Sequence, residues 1–209
     1  MGQYYYCVIL GEAPKDGDKE IIRTWLCAYN YHEGVKLMEH SYHSSKMVQA
    51  AEYLLSPYGM FYKSPVVWAG DYADEEPQED MGNLYHCICD KDKYPENDSK
   101  GWITAAPHSF NTEEYPYIVN HTKKVYMNKY MQEETEYESD DDGVVNGVVN
   151  RTSRIHPLPI LTSEGNGAGG GDYRGKNEIE AGSWARDVIS VEKEPPPSYQ
   201  EVNILFRED

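Results

Sequence analysis

Along the chain the apolar residues fall into runs with two different periods, and each period predicts an element. From Ser45 to Leu55, the residues Met47, Val48, Ala51, Leu54 and Leu55 recur at helical spacing and form one stripe. Ser44 or Ser45 supplies an N-cap, and Pro57 with Gly59 stops the run. This segment reads as the clearest helix, covering one face of a sheet. Strand signals dominate elsewhere. Tyr4 to Leu10 reads as a buried strand rich in Tyr, Val and Ile, with Ile21 to Tyr31 as its hairpin partner across the polar turn Gly11 to Lys19. Val66 to Ala69 and Leu84 to Cys89 read as short strands. Tyr117 to Asn120 and Val125 to Asn128 read as a hairpin around His121, Thr122 and Lys123. Leu158 to Thr162 and Arg186 to Val191 read as late strands, and Val202 to Phe206 closes the sheet. Val35 to Tyr42 fits neither period. The sum predicts an α+β fold: a mainly antiparallel sheet with one or two covering helices.

Composition refines this picture. A chain of 209 residues fits one domain over 1–209, and 39% hydrophobic residues suffice for a sizeable core. Tyrosine outnumbers phenylalanine 19 to 3, which suits half-buried sheet faces and interfaces. The formal net charge of -17 repels phosphate backbones and anionic membrane surfaces. Nucleic acid and membrane are therefore not expected as partners, and a protein or a small ligand remains. Of the 36 acidic residues, 19 lie between Asp71 and Asp142. Glu133 to Asp142 is a charge run expected to stay solvated, followed by two copies of a Gly-Val-Val-Asn tetrapeptide from Gly143 to Asn150. An acidic, flexible insertion at about 129–153 is the expectation. No apolar run approaches the ~20 residues of a spanning helix, and the N-terminus lacks a secretion pattern. A cytoplasmic setting with four reduced cysteines is the expectation.

Chemistry concentrates in the glycine-rich loop from Gly165 to Tyr173. Gly165, Gly167, Gly169, Gly170 and Gly171 are costly to order, so something must require them. With Asn166, Asp172 and Tyr173 they form a candidate ligand-binding loop whose amides could cradle an anion. It is neither a Walker loop nor a dinucleotide fingerprint, because no Gly-Lys-Ser/Thr ending and no following helix are present. A structural turn or a metal loop are the other readings. Trp184, in Gly182 to Asp187, joins the candidate site. That segment echoes Trp68 to Asp74, since both contain Trp-Ala-x-Asp beside a strand, which hints at two related half-units. Asp71, Asp74, Asp172 and Asp187 could then converge on a divalent cation, the one cofactor the residues suggest. Cys87 and Cys89 are spaced too closely for an ordinary zinc site, and no nucleophile elbow, kinase set or Cys-His pair is present, so no catalytic residue is assigned.

Several of these segments resemble a group of small phage- and prophage-encoded proteins. The resemblance rests on Met1 to Tyr5 (MGQYY), Gly34 to Glu39, Trp68 to Asp74, Val119-Asn120 with Lys123-Lys124, the glycine loop, and Gly182 to Asp187. It spans most of the chain apart from the acidic middle, and departs at Ala168, where the group's pattern has arginine. It implies a phage or prophage origin, in an infected or lysogenic bacterial host, and no mechanism. The leading expectation is a non-catalytic accessory protein that binds a host protein or a small anionic ligand. The alternatives are a divalent-metal-dependent hydrolase or nucleotide-processing enzyme using the aspartates, and a virion or assembly component.

Overall fold

A computed structural model describes residues 2–11, 22–77, 82–102, 106–132, 134–139 and 149–208. In chain order the elements are β1 (Tyr5–Leu10), β2 (Ile22–Cys27), α1 (Leu37–His40), α2 (Lys46–Leu55), β3 (Ser64–Gly70), α3 (Leu84–Cys89), α4 (Pro95–Asp98), β4 (Tyr117–Asn120), β5 (Val125–Asn128), β6 (Glu134–Ser139), β7 (Val149–Arg154), α5 (Pro157–Leu161), β8 (Ser163–Glu164), β9 (Gly175–Lys176), β10 (Val188–Glu192), β11 (Gln200–Glu201) and β12 (Arg207–Glu208). The main sheet runs β11-β5-β4-β10-β3-β1-β2, with β8 also on β3. Its pairings are antiparallel except β11 on β5 and β8 on β3. The fold is α+β, as the apolar pattern predicts.

β1 shows why the sheet is buried on both sides. Tyr5, Cys7 and Ile9 face a large core that includes α2 and α5, while Val8 and Leu10 face a smaller core with Leu84, Cys87 and Ile88 of α3. Alternate residues of one strand thus serve two cores, so the strand reads as an unbroken apolar run. α2 is capped as expected, with Ser45 Oγ accepting from Val48 N at 3.1 Å. The hairpin β4–β5 also forms as expected, with Asn120 opposite Val125.

Four expectations change. Leu84–Cys89 is helical because Leu84, Cys87 and Ile88 share a helix face and Asn83 caps it, accepting from His86 N at 2.9 Å. Pro157–Leu161 is helical because Pro157 stands at the first turn and His156 Nδ1 accepts from Leu158 N. The second strand stops at Cys27 and tightens into a 3₁₀ turn, Ala28–Tyr31. Val202–Phe206 is not a strand; Gln132 pins this stretch, donating to Ile204 O and accepting from Phe206 N. The ambiguous segment after Val35 contains the short helix α1. Most of the polar turn Gly11 to Lys19, and most of the tetrapeptide repeat, lie outside the described residues, while β6 and β7 flank the latter as a two-stranded antiparallel ladder. No helix among the described residues is long and apolar enough to cross a membrane.

The two Trp-Ala-x-Asp segments occupy different local structure. Trp68 is buried inside β3 and donates from Nε1 to His40 Nε2 at 3.1 Å. Trp184 lies in a turn before β10, where Arg186 adopts a left-handed φ of 62°. Shared letters here do not give shared structure.

Candidate functional site

β3 changes partners along one edge, and a cleft opens where it does so. Its start pairs with β10 at Pro65 and Ser64, and its end pairs with β8 at Trp68 and Ala69. The segment Gly182 to Asp187 bridges the break. Its backbone bonds to Ile160 and Leu161 carbonyls, and Arg186 N donates to Val66 O at 2.8 Å. Trp184 is consequently buried in the main core and lines no part of the cleft.

Two adjoining cavities share Ser163 and Gly165. One, of about 410 Å³, is lined by Asp74, Glu75, Glu76, Glu164 and Arg186. The other, of about 270 Å³, is lined by Tyr5, Gly165, Asn166, Gly167, Asp172, Tyr173 and Glu178. Gly165, Asn166, Gly167, Asp172 and Tyr173 therefore line the smaller cavity, whereas Gly169, Gly170 and Gly171 line neither. Gly169 and Gly171 admit close neighbours instead, while Gly170 is exposed. A side chain at Gly169 would strike Gln3, Gly170 pairs with Gly2, and Gly171 takes φ 84° against the Lys36 side chain. A side chain at Gly165 would strike Gln3 and Tyr5. The loop is glycine-rich because it wraps tightly over the start of β1.

The loop's anion position is already filled by its own carboxylate. Asp172 Oδ2 accepts from Gly169 N at 2.9 Å, and Oδ1 accepts from the Tyr5 hydroxyl at 2.8 Å. Ala168 N is taken by Asn166 Oδ1 at 2.9 Å. Burial raises the Asp172 carboxyl above its ordinary range, against the opposing pull of Tyr5 and Gly169. Burial and Asp172 together push the Tyr5 phenol well up. Gln3, fully buried beneath the loop, has no partner among the described residues for either side-chain polar atom. Tyr173 anchors the far end, its hydroxyl donating to Lys176 O and accepting from Arg207 N.

The aspartates separate. Asp71 Oδ1 accepts from Tyr4 N at 3.0 Å, and Asp74 is exposed at the first cavity. Asp187 is committed elsewhere: Oδ2 accepts from Asn120 Nδ2 at 2.7 Å and lies 3.6 Å from Lys123 Nζ. Among the described residues no group of three or more His, Cys, Asp or Glu is arranged to hold a metal ion. The four-aspartate metal cluster does not assemble, because Asp187 is held at the β4–β5 turn.

Sequence reading overlooked the charges that dominate the first cavity. Arg186 donates from Nε and Nη2 to Glu164 and from Nη1 and Nη2 to the buried Glu76. Burial disfavours its charge, but the two carboxylates outweigh that and hold it firmly ionised. Among the described residues Asp74 and Glu75 have no such partner, so negative charge is in excess among the groups lining the cavity. A clue existed, since Glu164 directly precedes the loop.

A second overlooked group lies inside the core. Lys129, Glu52 and His156 are essentially inaccessible to solvent. Lys129 Nζ donates to Glu52 and to Thr112 O, the latter at 3.0 Å. His156 Nε2 lies 3.1 Å from Glu52 Oε1, a close approach rather than an aligned hydrogen bond. His43 stacks on Tyr130 and tilts against His156. Burial opposes the Glu52 charge, but Lys129 and His156 prevail and hold its carboxyl down at about 2. Burial pushes His43 down to about 2 and lowers His156. None of the three lines either cavity of the cleft, and their burial and mutual contacts are those of a structural lock.

Fold and site together define an α+β protein with an acidic cleft beside a self-satisfied glycine loop. Comparison of the chain with protein-family models, curated proteins and solved structures found no match.

Proposed function

We propose that the protein acts by binding, without catalysis, and that the acidic cleft receives basic side chains of a partner protein. The supporting observation is the charge imbalance of the larger cavity. Asp74, Glu75, Glu76 and Glu164 face it with Arg186, whose guanidinium is committed to Glu76 and Glu164. A net negative cleft on a chain of charge -17 steers cationic surfaces inward and repels anions. The small anionic ligand is therefore the weaker form of the binding reading, all the more because Asp172 occupies the loop's own anion position. In the phage setting that the sequence resemblance implies, the partner is a basic host protein.

Affinity capture from bacterial lysate tests this. The wild-type chain should retain a basic partner at low salt and release it as ionic strength rises. A variant carrying Asp74→Lys and Glu75→Lys should retain none. Equal capture by both proteins would remove the cleft from the interface.

A further inference from the structure

Away from the cleft, Tyr53 of α2, Tyr58, Phe110 and Tyr115 line a cavity of about 310 Å³ with Glu114 and Lys193 at its edge. The rings brace one another. Phe110 stacks on Tyr115 with centroids 5.0 Å apart, Tyr53 meets Phe110 edge-on at 5.4 Å, and Tyr58 meets Tyr115 edge-on at 6.5 Å. Tyr115 is buried and Tyr58 largely exposed, so the pocket has a firm floor and an open rim.

One ammonium already rests there. Lys193 Nζ lies 5.1 Å from the centre of the Tyr115 ring and pairs with Glu114. Both partners are about half exposed, so water competes for the pair and the lysine is displaceable. Aromatic faces attract cations through their quadrupole, and the attraction grows when the cation sheds water easily. An alkylated ammonium sheds water more readily than the lysine head and also buries methyl groups against the rings. We propose that this pocket binds an alkylated ammonium group, which displaces Lys193 from the Tyr115 face and takes Glu114 as its counter-charge. The site shares no residue with the acidic cleft and does not depend on the function proposed for it.

Titration of the intact chain with tetramethylammonium, followed by NMR of the aromatic rings, tests the assignment. Saturable shifts confined to Tyr53, Tyr58, Phe110 and Tyr115 are expected. Glu114→Gln, at an exposed position that tolerates substitution, should weaken binding by about three- to tenfold, and Lys193→Gln should strengthen it by removing the resident competitor. A neutral alcohol with a tert-butyl head, similar in shape but uncharged, should bind at least about tenfold more weakly. A trimethyllysine peptide separates the two sources of the group: tighter binding than the free ion supports a protein side chain, and equal or weaker binding supports a free small cation. Equal affinity for the neutral and charged probes, or no response even in Lys193→Gln, overturns the proposal.

Discussion

The core and the cleft both set carboxylates against cationic side chains and treat them in opposite ways. In the core, Glu52 meets Lys129 and His156 with solvent excluded, and each buried charge has a partner. In the cleft, Arg186 balances two carboxylates while Asp74 and Glu75 stand exposed beside them. Burial enforces the first arrangement, because an unpaired ion in a low-dielectric interior costs several kcal/mol. Solvent permits the second, because water and salt screen surplus charge cheaply. The difference separates charges that maintain the fold from charges that are available to a partner.

Removing one member of the core group should break the comparison most severely. Lys129→Met leaves Glu52 buried without its cation and should destabilise the chain by about 3–5 kcal/mol, measured by urea unfolding. Adding Glu52→Gln should restore much of that loss, because the stranded charge is then gone. If Lys129→Met alone unfolds no more easily than wild type, the core pair is not an enforced one.

Acid should sharpen the same point. His40 is buried, with Nδ1 donating to Gly34 O at 2.9 Å and Nε2 accepting from Trp68, so the neutral ring fills its place. Burial pushes its pKa from the ordinary 6.5 to about 4. The unfolded chain therefore takes up a proton first. Stability is full above about 6.5 and falls as pH drops toward 4, by about 3 kcal/mol for this residue. The lowered pKa values of His43 and His156 act in the same direction. Glu52, held at about 2 against an ordinary 4.5, adds a further loss as pH falls from 4.5 toward 2. Unfolding midpoints across this range should show both stages, and His40→Gln should flatten the first.

The contrast between core and cleft was only partly legible in the sequence. Periodicity identified α2 because its apolar stripe is long and its Ser45 cap explicit. The same stripe carried a missed signal: Glu52 stands four residues after Val48 and three before Leu55, on the buried face, where a carboxylate requires a partner. That partner, Lys129, is far away in sequence, so no local pattern could supply it. Leu84 to Cys89 was misread because six residues fit both periods, and Asn83 as a cap was the decisive residue. Pro157 to Leu161 is buried along its whole length and so has no amphipathic period at all. At the site, glycine density shows that something requires those residues, and the structure supplies the reason in the close approach of the loop to Gln3, Tyr5 and Lys36. Glycine density could not reveal that Asp172 satisfies the loop from within, nor that Asp187 turns toward Asn120.

The glycine loop lies between the two regions, and its substitutions should have intermediate effects. Gly165→Ala forces a methyl group against Gln3 and Tyr5 and should cost about 1–3 kcal/mol by thermal or urea unfolding. Gly167 has a left-handed φ of 63° but open space around it, so Gly167→Ala should cost about 1 kcal/mol through backbone strain alone. If the two costs were equal, close packing over β1 would not be the reason for the loop's composition.

The smallest effect on stability should accompany the largest effect on binding. Asp74 and Glu75 are exposed and face the larger cavity, without the engagement that fixes Glu76 and Glu164 on Arg186. Replacing both with lysine should change unfolding free energy by no more than about 0.5 kcal/mol per site, the usual range for exposed positions. It should also relieve some repulsion on a chain of charge -17, so the sign is expected to be neutral or slightly stabilising. Capture of a basic partner should nevertheless be lost, because the field at the cleft is reversed where association begins. Surface charges of this kind act mainly on the association rate, so the loss should appear first as slower, less salt-sensitive binding in the single variants Asp74→Lys and Glu75→Lys. A variant that binds normally would mean that the surplus charge serves no recognition. A variant that unfolds would mean that these carboxylates belong with Glu52 and Lys129 after all.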